Sequence, residues 1–308
     1  MTNTEAGEAA YEESIKSPEP MYPAAATERL KYLKRIFDQH GVTFFLGSGT
    51  CLGAIREDRF IPWDDEMDTC SVIGLHGFTE ETIDRVIATF TADGYYVHVG
   101  DSSNTVSIAV VKSSIRADWT CFRIHGDSLI QYPAVKTPLR LFTNLKEIDF
   151  IGEKFLVPNP PEEYLRIKYG PEWKTPKGPG FEKDVVQKIP DADILSRSRR
   201  LNQFLTKNLV MWRAGRFRIL DHEGEPVNDA EVVVVGIGRS MTNNQGYARF
   251  YVPDKSFYAV IVRYDGHEEV LYEEVLTPGE TYVYRPGPET TVQEHYEAGV
   301  RAMALTRE

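Results

Sequence analysis

The amino-acid sequence predicts an α+β protein in which a mixed sheet with flanking helices is followed by a small all-β sandwich. Three observations lead there. Between residues 24 and 170 apolar residues recur by turns at helical and strand spacing, and after Gly215 the chain changes to short β-branched runs separated by turn signals. At 308 residues the chain is also long enough for about two domains. Hydrophobic residues at 42% and charged residues at 26% match ordinary globular usage, which sets aside global disorder and fibrous folds.

Taken in order, residues 1–23 are polar, carry Pro18, Pro20 and Pro23, and read as a loose lead-in. From Ala24 to Gln39, Leu30, Leu33, Ile36 and Phe37 fall at helical spacing with Gly41 as C-cap, predicting an amphipathic helix. Val42 to Leu46 reads as a short buried strand. Gly47-Ser48-Gly49-Thr50 breaks it, and Cys51 to Glu57 suits a short helix. Met67 to Ile73 predicts a strand and Glu80 to Phe90 a helix. Tyr95 to Val99, Val106 to Val111 and Ile115 to Phe122 predict three more strands.

Lys146 to Val157 is β-like and leads to Pro160-Pro161 and a helix with Tyr164, Leu165 and Ile167, closed by Gly170. Thr175 to Phe181 is rich in Gly, Pro and Lys and is expected to be a mobile loop; Ile194 to Val210 is expected to be helical. These segments make residues 24–210 one domain. Residues 215–286 form the expected β-sandwich, with runs RFRILD, EVVVVGIG, YARFYV, FYAVIVRY and TYVYRP. In residues 289–308, Val292, Tyr296, Val300 and Met303 at helical spacing predict a terminal helix.

Charge and cysteine content narrow the function. A formal net charge of −11 opposes extended attraction to nucleic-acid phosphates, and Lys and Arg are interspersed with acids rather than clustered for a membrane surface. No apolar run approaches the roughly 18 residues of a membrane span, and the acidic N-terminal stretch lacks the apolar core of a signal peptide, so a cytoplasmic protein is expected. Cys51, Cys70 and Cys121 form no CxxC pair and read as buried free thiols.

Chemistry concentrates in FFLGSGTCLGAIREDRFIPWDDEMDT. Gly47 and Gly49 let the backbone approach a ligand closely, and amides opening the next helix suit phosphate oxygens, with Ser48 and Thr50 as hydroxyl donors. Taken alone, the turn reads first as an ordinary tight turn with a Ser or Thr cap. In an extended backbone Asp64, Glu66 and Asp68 share one face while Asp65, Met67 and Thr69 take the other. Such like charges call for an oxygen-preferring divalent cation, magnesium or manganese; a solvated acidic turn is the plain alternative. Asp118 lies in an otherwise apolar strand, where it is either a metal ligand or general base, or an acid satisfied by Arg116 or Arg123.

GSGTCLGAIREDRFIPWDDEMD resembles the pattern of the LicD/fukutin family, and VPNPPEEYLRIKYGPEWKTPK resembles that family's closing motif. The resemblance covers Glu28 to Lys177. It implies a nucleotidyltransferase fold and transfer of phosphocholine or a polyol phosphate from a cytidine diphosphate (CDP) donor to a glycan or glycolipid hydroxyl. Carried over by position, Glu66 and Asp68 match the metal-binding acid pair, Asp118 the later strand acid, and Gly47 to Thr50 the phosphate turn. Arg56 is then a candidate phosphate contact, Asp64 a further metal candidate, and Tyr169, Trp173 and Lys174 candidates for closing the site. Glu66 stands where the family has aspartate. Asp221, Gly224, Pro226-Val227, Ala230 and Thr242 to Gly246 resemble the turns of a transthyretin-like or carboxypeptidase regulatory-like sandwich, a module for stability, acceptor placement, partner binding or self-association. Two other functions stay open: nucleotidyl transfer from a nucleoside triphosphate to a small phosphate compound, and a catalytically silent binding protein.

Overall fold

A computed structural model describes residues 3–16, 19–112, 115–178, 180–189, 214–287 and 300–308. It is a mixed α/β protein with several sheets and, among the described residues, seven helices. Contacts divide the chain into two compact units, Met1–Gln131 with Lys136–Pro176, and Tyr132–Val135 with Lys177–Glu308.

The first unit opens with α1 (Asn3–Lys16) and α2 (Pro23–Gln39). Leu30, Leu33, Ile36 and Phe37 of α2 are buried as their spacing predicts, and Gly41 ends the helix at φ +65°. Then come β1 (Phe45–Leu46), α3 (Ser48–Glu57), β2 (Glu66–Val72), α4 (Glu80–Ala92), β3 (Tyr96–Asp101), β4 (Thr105–Lys112) and β5 (Ile115–Phe122). The sheet order is β1-β2-β5-β4-β3, with β2 and β5 parallel and the remaining neighbours antiparallel. Alternation sends Met67, Thr69, Ala117 and Trp119 to one face, where Phe37 meets Trp119 at 4.8 Å between ring centroids. The opposite face carries Asp68 and Asp118.

The unit continues with the hairpin β6 (Ser128–Gln131) and β7 (Val135–Pro138), α5 (Arg140–Thr143), the hairpin β8 (Lys146–Phe150) and β9 (Glu153–Val157), and α6 (Pro161–Tyr169). Gly170 closes α6 at φ +87°. Thr175–Lys177 have no helical or strand structure.

The second unit contains α7 (Phe181–Val186), β10 (Gly215–Ile219), β11 (Glu231–Val234), β12 (Gly238–Met241), β13 (Tyr247–Phe250), β14 (Ser256–Tyr264), β15 (His267–Leu276), β16 (Thr281–Tyr284), β17 (Val300–Ala302) and β18 (Thr306–Arg307). One sheet runs β13-β10-β16-β18 and the other β12-β11-β14-β15-β17. Phe217, Ile219, Tyr282 and Tyr284 of the first share an apolar core with Val232, Val234, Val260 and Leu271 of the second. Gly246, at φ +77°, stands where a Cβ would meet the Ile219 carbonyl oxygen at 2.7 Å, so that turn position requires glycine.

Two expectations change. The N-terminal stretch is not loose throughout: Tyr11 and Ile15 of α1, one turn apart, are buried, and Gly7 lets the helix press against the Tyr96 ring. From Val300 the C-terminal segment forms two short strands with a bend at Met303 (φ +47°) rather than a helix, because Val270 to Tyr272 offer a strand edge with which Val300 to Ala302 pair in parallel. Residues 289–299 and the helix expected over Ile194 to Val210 lie outside the described residues. All three cysteines are free and buried.

Candidate active site on the parallel strand pair

Parallel pairing puts Glu66 beside Arg116 and Asp68 beside Asp118. Neighbours in such a register share a sheet face, so the acids expected from strand alternation in β2 meet the strand acid of β5. Arg116, with a side chain only 5% exposed, enters this cluster. It ion-pairs with Glu66 and lies 3.5 Å from Asp65 Oδ2 and 3.7 Å from Asp118 Oδ1. Arg123 instead pairs with Glu80 and Asp101. One guanidinium thus offsets part of the acidic charge, with Glu66 as its nearest partner.

Asp68 takes a different environment. Its Oδ2 accepts a 2.9 Å hydrogen bond from Gly49 N–H, and its own N–H donates to Thr50 Oγ1 at 2.8 Å. The acid therefore caps α3, supplying an anion to the positive end of the helix. Burial raises its pKa, Lys168 of α6 lowers it, and the Asp118 charge raises it again. Asp118 is likewise raised by burial and lowered by Arg116 and then His98. Its side chain keeps 32% exposure, yet Oδ1 itself is buried, so desolvation acts on that inner oxygen. Asp64 is raised well above the usual carboxylate range by burial and by Asp68. Its Oδ2 is buried without a hydrogen bond and would lie 2.6 Å from a Cβ at position 49.

The phosphate-turn candidates are largely engaged by the protein itself. Ser48 N–H donates to the Tyr164 hydroxyl at 3.1 Å, and that hydroxyl donates to Gln131 Oε1 at 3.2 Å. Cys51 N–H donates to the Gly47 carbonyl at 2.7 Å. Arg56, with 8% side-chain exposure, binds Glu57 through Nε and Nη2 and reaches the Trp173 carbonyl at 3.5 Å. Trp173 belongs to the core, Lys174 lies 5.5 Å over its ring, and Tyr169 packs half-buried at the same edge.

Sequence reasoning did not single out Lys168, Gln131 or His98. Lys168 follows Tyr164 by four residues and so shares its helix face, a signal legible once Tyr164 points at the turn. Gln131 and His98 arrive through hairpin and register geometry, which spacing alone does not display.

Among the described residues no three His, Cys, Asp or Glu side chains are gathered as a cation site. The donor set left after Arg116 takes Glu66 is the facing pair Asp68 and Asp118. Two hard carboxylates of this kind suit a magnesium-sized ion whose other positions come from water and substrate phosphates, so the residues fit a divalent cation bound together with its substrate.

The curated lipopolysaccharide cholinephosphotransferase LicD of Haemophilus influenzae is 44% identical over 39 residues, which are 13% of this chain and 15% of the relative's length. Among solved structures, a cytoplasmic RNA terminal U-transferase gives a TM-score of 0.26 at 14% identity, covering 38% of this chain and 34% of that one. The Cid1 poly(U) polymerase bound to MgGTP gives 0.27 at 12% identity, covering 39% and 38%. The family model described as LicD/FKTN/FKRP, nucleotidyltransferase domain, matches residues 41–160, so the stretch that holds Asp68 and Asp118 is a LicD-family domain.

Proposed function

We propose that the first unit is a LicD-type phosphotransferase of nucleotidyltransferase fold. It moves a phosphocholine- or polyol-phosphate-type group from a CDP-activated donor to a hydroxyl of a glycan or glycolipid precursor. The observation that carries this reading is the pairing of Asp68 with Asp118 on adjacent parallel strands, inside the segment that matches the family. Asp68 and Asp118 would hold Mg2+ or Mn2+, with Asp64 close by. When bound, the cation would neutralise diphosphate charge as the leaving group departs.

The chain's own residues do the rest. The turn Gly47 to Thr50 sets Asp68 by two hydrogen bonds, and Arg116 pairs with Glu66 and stands 3.7 Å from the inner oxygen of Asp118. The outer oxygen of Asp118 is then the one left for the cation, or, with the cation held on the Asp68 side, for the proton of an attacking hydroxyl. Arg56, Tyr169, Trp173 and Lys174 form the rim where α3 meets the segment after α6. In the second unit, turn contacts of the kind expected for a transthyretin-like sandwich, such as Thr242 Oγ1 donating to the Val227 carbonyl at 2.7 Å, support a rigid module for acceptor placement or partner binding.

One observation favours a second reading. Arg116 sits among the acids with the short contacts of a structural ion pair, as a catalytically silent binding protein would have. The two readings separate in one assay. With Mg2+ or Mn2+ and CDP-choline or CDP-ribitol, cytidine monophosphate (CMP) should be released, and Asp68→Asn should lower the rate at least a hundredfold. Pyrophosphate from cytidine triphosphate would instead mark a nucleotidyltransferase. No turnover of any of these, with no nucleotide-dependent thermal shift, would leave the silent protein as the reading.

A further inference from the structure

The turn between β1 and α3 sends three successive backbone N–H groups in different directions. Gly47 N–H donates to the Asp68 carbonyl at 3.1 Å and Gly49 N–H to the Asp68 carboxylate at 2.9 Å. Between them, Ser48 N–H turns away to the Tyr164 hydroxyl of α6 at 3.1 Å. The reversal falls on Ser48, whose φ of +32° lies on the left-handed side that glycine tolerates and other residues seldom adopt. Its dihedrals orient the peptide that carries Gly49 N–H, so they decide whether that donor meets Asp68. A residue in such a conformation persists only where its surroundings hold it there. Here the hold is a relay of buried side chains, Tyr164, Gln131 and Thr137. The Tyr164 hydroxyl accepts from Ser48 and donates to Gln131 Oε1 at 3.2 Å, while Gln131 Nε2 donates to Thr137 Oγ1 at 2.8 Å. Thr137 thereby sets which end of the Gln131 amide faces the tyrosine. The Tyr164 ring is placed separately, edge-on to Phe142 at 6.1 Å between centroids. None of the three relay residues has a part in the chemistry so far assigned.

We propose that Tyr164 is a positioning residue of the site: its hydroxyl, fixed by Gln131, holds Ser48 in the left-handed conformation and so aims Gly49 N–H at the carboxylate of Asp68. The inference rests on the phosphotransfer reading, in which Asp68 has to stand ready for the cation. The relay acts on the acid through the turn and touches neither the substrate nor the reacting atoms. It also gives α6 and the β6–β7 hairpin a task in the site, since both reach the turn through this one hydroxyl. Asp68 is thus set by two bonds from the turn, and the turn by one bond from α6.

The test uses the full chain. In Tyr164→Phe the ring still packs against Phe142 but the hydroxyl is gone. With CDP-choline at saturating Mn2+, kcat for CMP release should fall about thirtyfold with the KM for CDP-choline unmoved, and the Mn2+ concentration for half-activity should rise about tenfold. In metal-free protein, amide exchange at Gly49, read by NMR, should quicken about tenfold. Glycine adopts a positive φ without steric penalty, so in a Ser48→Gly background the same Tyr164→Phe change should lower kcat by less than about threefold and leave Gly49 exchange nearly as it was. It should still lower the urea midpoint there, because Gln131 Oε1 loses its donor in either background. Losses of equal size in both backgrounds, or no loss in Tyr164→Phe, would overturn the positioning role and leave the donor chemistry standing. No CMP from wild type would overturn the phosphotransfer reading, and Gly49 exchange alone would then decide whether the hydroxyl holds the turn.

Discussion

At the scale of single residues, the site trades stability for placement. Asp68 and Asp118 face each other with their charges unfavourable in the fold, and burial raises both pKa values. For a carboxyl group raised above its unfolded value, the folded state binds more protons between the two values, so stability is lost as pH rises through the folded pKa. Asp68→Asn keeps an oxygen for Gly49 N–H and removes the charge. The variant should therefore be more stable than wild type at pH 7.5, by about 1–2 kcal/mol, and the gain should vanish near pH 4. Urea unfolding of both proteins at the two pH values checks this. A loss of stability at pH 7.5 would mean that capping of α3 outweighs the repulsion.

Between elements, close approach decides which residue types are tolerated. Helix α3 contains Gly53, where alanine would by propensity alone stabilise by about 1 kcal/mol. A Cβ at that position would lie 2.5 Å from the Arg59 carbonyl oxygen and 3.2 Å from Ile61 N, both backbone atoms that cannot swing aside. Overpacking of this kind costs roughly 1–3 kcal/mol, so the contact wins and Gly53→Ala should be net destabilising, measured as a lowered urea midpoint. The glycine thus lets the chain fold back from α3 to Ile61 and on to the acids of β2, a role the motif shows only as a letter. Elements whose periodicity is set locally were legible: α2, α4 and β5 fall where their apolar spacing places them. Those fixed by a distant partner were not. Helix α1 offers only Tyr11 and Ile15 as anchors, and Val300 with Met303 has helical spacing although the strand edge of β15 decides its conformation.

For the molecule as a whole, the same contrast separates the acids that sequence displays from those only tertiary structure reveals. Asp64, Glu66, Asp68 and Asp118 stand out because they interrupt apolar strands or cluster beside them. Arg116, by contrast, becomes the cluster's counter-charge only through β2–β5 pairing. In the second unit Glu269 and Glu274 are buried in β15 without any local mark in the sequence. Glu269 pairs with Arg301 and accepts from the Tyr284 hydroxyl, while Glu274 accepts from Ala304 N–H at 2.5 Å and Leu305 N–H at 3.1 Å. These two carboxylates fasten the last strands to the unit. Burial pushes the Glu274 pKa up to about 7, against the pull of its two backbone donors. Its folded value lies above the unfolded one, so its contribution favours the fold below about pH 4.5 and is lost as pH rises through about 7. Glu274→Gln cannot ionise. It should remove on the order of 2 kcal/mol of the stability lost between pH 5 and pH 8, so that the difference between variant and wild type itself changes with pH. Chemical denaturation across that range, with hydrogen exchange at Ala304 and Leu305, would read it. A pH-independent difference would show that Glu274 keeps an ordinary carboxylate pKa, and that its two backbone bonds outweigh its burial.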